Sequence, residues 1–382
     1  MLIFSPYSIL FALVTVPMVI RAYSEQNTNI DGLLDEILYG EQVSFYWKCE
    51  TSASLGYGYR ENVLLGEANE IDSSFVFTGV EVIAARKMPN RDDEWLMSFF
   101  LENRAFSDVP DFDNETLFFG GAYYSLKLES IGNIGSGIEY IYTSQALDSS
   151  LDDVEISSLT LNGKRTSIVS DFSFRETNRF KLSIGQMELD GTTSDYDLKE
   201  ISYLKVFHLG DSNRIEFLLK GGDKNFVERL ARSDEGEYLN DDFLELREWE
   251  AKLAFEHYYL VWGLKGEMRF YGRYSKQWSG TSGYYDRNVS KLGVRFLWEK
   301  EGWKVSLDGS YREADYDVRL GYDGLRQADD SWSWLLDVER KLPSGWRVYL
   351  QLDASERETN EFASSYQANT IMFGLRFPAI RL

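Results

Sequence analysis

From about residue 50 to the C-terminus, apolar and polar residues alternate one for one, which is the spacing of extended strands whose successive side chains point to opposite faces. The last third is clearest. Trp249, Ala251, Leu253 and Phe255 alternate with Glu248, Glu250, Lys252 and Glu256. Met268 and Phe270 alternate with Lys265, Glu267, Arg269 and Arg273, and Leu292, Val294, Phe296 and Trp298 with Lys291, Arg295 and Glu299. Trp303, Val305, Leu307 and Tyr311 alternate with Lys304, Asp308 and Arg312. Trp332, Trp334, Leu336 and Val338 oppose Asp337 and Glu339, and Trp346, Val348, Leu350 and Leu352 oppose Arg347, Gln351 and Asp353.

A soluble sandwich alternates too, so strand length and charge placement decide. These runs are about 10–14 residues long, against about 5–6 for strands of soluble sheets and about 9–11 for a tilted strand that crosses a bilayer. Their polar face carries fixed charges of both signs in mid-strand. A packed core excludes such charges, and a wet lumen accepts them.

The connections supply a third signal. Short ones are read at Pro89–Asp93, Gly132–Gly135, Glu176–Asn178, Gly210–Asn213, around His257-Tyr258, Lys300–Gly302 and Leu342–Gly345, where Gly, Asn, Asp and Pro suit tight turns. Long ones are read at about 63–73, 105–115, 146–164, 190–198, 228–241, 275–287, 315–330 and 357–366. Short turns on one side and long loops on the other mark a membrane barrel. The expected fold is all-β: a single antiparallel transmembrane β-barrel of about sixteen strands over residues 50–377, with fourteen or eighteen as alternatives. Both termini then fall on the periplasmic side. Residues 146–164 are the least certain connection, read either as carrying a strand of their own or as a loop folding into the lumen.

Composition narrows the function. The net charge of −22 repels phosphate backbones, which argues against nucleic-acid binding. One cysteine, Cys49, permits no internal disulfide, and two histidines, His208 and His257, argue against a multi-His metal site. No nucleophile elbow, phosphate loop or metal spacing appears, and both histidines fall near short turns, so no enzyme and no cofactor is expected. Residues 1–22 read as a signal peptide cut after Ala22, with a membrane anchor as the alternative, since Arg21 follows the apolar run instead of preceding it. Residues 23–49 form a periplasmic leader in which Ile30–Leu38 has the pattern of a short amphipathic helix. Elsewhere no run reaches the roughly 20 apolar residues of a spanning helix.

In the last seven strands, inward charges of the two signs nearly balance, and Glu267, Arg269, Arg273, Arg295, Asp308, Arg312, Asp337 and Arg347 are the candidate selectivity residues. The acidic surplus is read into long loops, through Asp108 to Glu115, Asp148 to Glu155, Asp234 to Asp242, and Asp323 to Asp330. Such a rim favours cations, or binds divalent ions shared with lipopolysaccharide phosphates, or keeps the loops soluble. Trp298, Trp303 and Trp346 near short turns, with Trp332, Trp334, Trp278, Tyr284 and Tyr285 near long loops, read as two interface girdles.

The closing segment Asn369–Phe377, NTIMFGLRF, resembles the last strand of outer-membrane barrels, with Ile371, Phe373, Leu375 and Phe377 in the place of the assembly signal. Five residues, Pro378–Leu382, follow the Phe, which departs from that pattern. With the stretch Gly345–Asp353 and the polar loop Glu356–Tyr366, it is similar to porin-like barrels found beside exopolysaccharide export systems. The resemblance implies an integral outer-membrane protein. Its partners are then membrane lipid and lipopolysaccharide, the barrel-assembly machinery, and small hydrophilic solutes diffusing passively. An export or scaffold barrel for a surface polysaccharide or protein, with a partner at its periplasmic mouth, is the alternative. So is an anchor with a blocked lumen, and a homo-oligomer is compatible with each.

Overall fold

A computed structural model describes residues 47–381, apart from 66–69, 88–92, 108, 110–113, 129–131, 147–159, 175–176, 191–194, 262, 361–364 and 379. The expected signal segment, the helix at Ile30–Leu38 and most of the connection at 146–164 lie outside the described residues.

The chain is all-β. Sixteen long strands run in order: β1 (Lys48–Arg60), β2 (Ser73–Lys87), β3 (Asp93–Phe106), β4 (Asn114–Leu128), β5 (Gly132–Ala146), β6 (Thr160–Phe174), β7 (Asn178–Asp190), β8 (Tyr196–His208), β9 (Asn213–Arg232), β10 (Tyr238–Val261), β11 (Leu264–Ser279), β12 (Arg287–Lys300), β13 (Trp303–Leu320), β14 (Arg326–Lys341), β15 (Arg347–Thr359) and β16 (Tyr366–Arg376). A two-residue strand, β17 (Ile380–Arg381), follows. Each long strand pairs antiparallel with its neighbours in sequence, and β1 also pairs with β16, so the sheet closes on itself. Closure leaves no row of unpaired amides at an edge, which is the condition for strands to stand in hydrocarbon.

The alternation of connections is present: 301–302 and 209–212 at one end, 233–237 and 321–325 at the other. Two expected turns are misplaced. His257 and Tyr258 lie inside β10, whose pairing with β11 runs on to Val261↔Leu264. Gly263, at φ +75°, supplies the left-handed residue of that turn. Gly132 and Gly135 belong to β5, not to the turn before it. Gly135 lies against the Tyr123 ring, so a Cβ there would overlap the phenol. The same seat recurs where Phe75 covers Gly58 and Tyr271 covers Gly293. These glycines let a neighbouring ring lie flat across the strand. Strands at 94–104, 199–209 and 214–227 alternate poorly in sequence, yet β3, β8 and β9 occupy those places.

One face of every strand points outward and is apolar. Leu292 is 65% exposed, Ile201 60%, Phe373 58% and Leu253 57%, although each sits in mid-strand. No soluble barrel of one layer could leave such a belt in water. Leu292→Arg, on the outer face of β12, should lower the stability of the folded barrel by about 2–4 kcal/mol if hydrocarbon covers that face. Urea titration of the protein in lipid vesicles measures this, and a cost near zero would mean that water lies there instead.

Candidate functional site: the charged inner wall

The register fixes what faces inward. The pairs Glu256↔Arg269, Arg269↔Arg295 and Arg295↔Asp308 run across β10 to β13, and the outward apolar residues hold the intervening positions. All eight expected selectivity residues stand on this inner face: Glu267, Arg269, Arg273, Arg295, Asp308, Arg312, Asp337 and Arg347.

Most of the inner charges are tied into bridges between strands. Arg269 reaches Glu216 at 2.8 Å and Glu256 at 2.9 Å. Arg214 reaches the same two carboxylates at 2.7 and 2.8 Å, and the Tyr258 hydroxyl donates to Glu256 at 2.9 Å. Arg295 bridges to Asp308 at 2.7 Å. Glu339 accepts from Arg347 at 3.4 Å and from Arg376. On the far side of the barrel, Arg60 and Arg104 converge on Glu115 at 2.9 and 3.1 Å. Arg165 reaches Glu200 at 3.2 Å, which Lys220 also meets. Several of these bridges skip a strand, as from β11 to β9 and from β6 to β8, so they brace the wall against shear.

Glu115 is a correction to the sequence reading. Expected on an acidic loop, it lies in β4, fully buried between two guanidinium groups. Asp329 likewise belongs to β14, where it meets Arg357 at 3.0 Å, and Asp330 accepts from the Tyr311 hydroxyl at 2.9 Å. Asp241 and Asp242 fall in β10. A two-residue period cannot separate a loop carboxylate from one at the end of a long strand, and these strands extend further than expected.

One row of the wall differs from the rest. Lys252 is opposite Arg273, Arg273 opposite Lys291, and Lys291 opposite Arg312, so four cations stand on four consecutive strands in direct register. Each is nine residues from its strand's end on the short-turn side, at Val261, Leu264, Lys300 and Trp303. The row nearer the turns alternates in sign, Lys265, Glu299, Lys304, Glu339. The strands eight places around the barrel, β2, β3 and β5, carry Glu81, Glu102 and Glu139 on their inner face. Those carboxylates have cations beside them: Lys181 reaches Glu139 at 3.4 Å, and Arg104 shares the inner face of β3 with Glu102. Sequence reasoning placed Lys252 and Lys291 on the wall but not as members of one set. Their common offset from the turns would have shown it, had the turn at Gly263 been placed correctly.

The long-loop end is partly filled by apolar packing. Val63 and Val109, from two connections, pack on inward Phe75, Phe77, Phe106, Tyr349 and Met372. Tyr285 packs on inward Met187, Leu198, Phe226 and Leu246. Arg229 lies over the Phe226 ring at 5.4 Å and the Tyr285 ring at 5.1 Å. Tyr284 and Tyr285, expected in an outer girdle, instead turn into the mouth, because the connection 280–286 folds inward: Gly283 N–H donates to Asp234 at 2.9 Å and Gln277 to the Tyr285 carbonyl at 3.3 Å.

The expected girdle residues Trp298, Trp303, Trp332 and Trp334 occupy outward positions, Trp303 and Trp334 being half exposed. Trp298 stacks on Phe296 with centroids 5.6 Å apart, and Trp332 Nε1–H donates to Glu356 at 2.8 Å. Trp346 lies in the connection before β15, edge-on to Phe377 at 4.9 Å. Ile371, Phe373 and Leu375 face outward on β16. Phe377 N–H donates to the Ala53 carbonyl at 2.8 Å, and the tail beyond pairs Ile380 with Thr51 and Arg381 with Glu50. The His257 ring faces outward, with Nδ1 2.9 Å from the Asn213 side-chain oxygen. Among the described residues no group of His, Cys, Asp and Glu is arranged to hold a metal.

Breaking a bridge is a sharper test than counting bridges. Arg269→Ala leaves Glu256 and Glu216 to share Arg214 alone and should cost up to about 3 kcal/mol, whereas Arg269→Met with Glu256→Met, which leaves Arg214 paired with Glu216, should restore most of that loss. Unfolding in detergent, followed by the shift between folded and heated forms on gels, reads both. Equal losses in the single and double variants would show that the bridge is not a coupled pair.

No known family model and no curated protein sequence matches this chain. Solved structures do. A BenF-like porin from Pseudomonas fluorescens Pf-5 aligns over 88% of this chain and 99% of its own, at 11% identity and a TM-score of 0.50. Pseudomonas aeruginosa OpdQ covers the same shares at 9% identity and 0.49, and Acinetobacter baumannii OccAB3 at 9% and 0.47. At this identity the likeness concerns the fold alone, and it agrees with the expected architecture of a closed antiparallel barrel of sixteen long strands.

Proposed function

We propose that the protein is a passive diffusion channel of the outer membrane for small hydrophilic solutes, with a weak preference for cations. The observation that carries this reading is the closed barrel whose inner wall bears charges of both signs, with an apolar belt outside. A barrel of this strand number leaves room for water inside. Fixed charges of both signs on the wall order water and favour small polar or dipolar solutes over apolar ones. The long-loop end, read as the outer face, carries Asp234, Glu235 and Glu237 between β9 and β10 and Asp323 between β13 and β14. These carboxylates raise the local concentration of cations at the entrance.

The two apolar clusters at the long-loop end favour a second reading, an anchor with a blocked lumen. Conductance separates the two. Purified protein in a planar bilayer should give discrete steps, and a KCl gradient should give a reversal potential of the sign for K⁺ selectivity. Replacing Asp234, Glu235 and Glu237 by their amides should move that potential toward zero. Clear chloride preference would overturn the cation reading, and absence of any steps would favour the anchor.

A further inference from the structure

We propose that Lys300, Trp303 and Arg340, on the outer face of the barrel at its short-turn end, bind the headgroup of an anionic phospholipid, a phosphodiester without an amine, in the inner leaflet of the membrane. The three stand on neighbouring strands in direct register, Lys300 opposite Trp303 and Trp303 opposite Arg340. Their parity with Trp298, Val305 and Val338 turns them outward, so they border the apolar belt and not the lumen. The Arg340 guanidinium lies over the Trp303 ring at 4.9 Å and donates to the Glu301 carbonyl at 2.7 Å. Trp303 is half exposed and Lys300 is exposed. Among the described residues neither cation has a carboxylate within ion-pair distance, whereas Arg214, Arg269 and Arg295 on the inner wall each have one.

The chemistry of the trio selects the ligand. Two strand spacings of about 4.8 Å separate the cations at the backbone, a gap that their long side chains can close over the indole between them. A phosphodiester brings one charge and two free oxygens, which a guanidinium fork and an ammonium can share. Indole favours the boundary between hydrocarbon and headgroups, which sets the trio at the depth of a lipid phosphate. Two residues further into the belt, Val305 and Val338 face each other between Trp298 and Leu350, a low bed for the acyl chains below such a phosphate. The opposite rim of the same sector has the reverse sign. Glu313 is opposite Asp330 and Asp330 opposite Glu358, all exposed and outward on β13 to β15. A lipid anion is therefore attracted at the turn end of this sector and repelled at the loop end, which fits one leaflet and not the other. Lys205, over the Phe207 ring at 5.4 Å on the outer face of β8, has Asn178 and Phe217 beside it in register, so that pair lacks a second cation.

The leaflet rests on the outer-membrane reading, in which the short turns face the periplasm, so binding and orientation are tested apart. The purified protein in detergent micelles, titrated with phosphatidylglycerol or phosphatidylethanolamine and followed by native mass spectrometry, should retain the first in preference. Lys300→Gln with Arg340→Gln should weaken that retention about tenfold or more, with the gel shift of the folded barrel kept. Lys300→Arg should preserve it, as should Lys205→Gln. Inorganic phosphate at equal concentration should not displace the lipid, because it lacks the chains that the valine bed holds. Equal retention of the two lipids, unchanged retention in the double variant, or displacement by phosphate would overturn the site. Orientation is read in intact cells: Ser344→Cys, in a Cys49→Ser background, should react with a polymer-linked maleimide only after lysis. Reaction before lysis would put the turns outside and overturn the leaflet, while retention in micelles would leave the lipid site standing.

Discussion

In hydrocarbon a backbone amide has no water to fall back on, and the whole architecture answers that fact. A sheet can satisfy every N–H and C=O across a membrane only by having no edge, and here β1 supplies the missing partner to β16. The seam is completed beyond the last long strand. After Phe377 the chain steps sideways and resumes pairing through Ile380 and Arg381, so the first residues of β1 are covered as well. Once the sheet is closed, side-chain parity follows: every residue is committed to the oily outside or the polar inside, and a slip of one residue would exchange the two throughout a strand.

The inner wall uses that commitment in two ways. Around Glu115, Glu200, Glu256 and Glu339, cations and carboxylates are paired across strands, and their value is mechanical, since several bridges tie strands that share no direct hydrogen-bond ladder. On β10 to β13, Lys252, Arg273, Lys291 and Arg312 also stand in direct register, with Arg273 3.5 Å from Glu250.

Much of this was legible in the sequence, and the misses have physical reasons. The period of two identified the strands, their inward faces and their even number, because a bilayer on one side and polar surroundings on the other enforce strict alternation. Turns were read from polar and glycine-rich clusters, and that rule failed where glycine serves packing instead of turning. Gly135 receives the Tyr123 ring, while at the end of β10 the left-handed Gly263 turns the chain and the more polar His257-Tyr258 pair does not. Glu115 and Tyr285 were assigned outward by their nearness to loops. Nothing in a one-dimensional pattern tells that two arginines from other strands converge on the first, or that the connection bearing the second folds inward.

The flat rings over Gly135 and Gly293 carry a last consequence. Aromatic side chains standing upright on the inside would project into the passage as baffles. Laid down on neighbouring strands that lack a Cβ, they become paving: stiff, low tiles between charged posts, which shield the backbone beneath without narrowing the bore. On the channel reading, a solute moving past Tyr271 meets a nearly smooth floor. The roughness it feels is electrostatic, set by a few side chains that point mutations can change one at a time without rebuilding the tube.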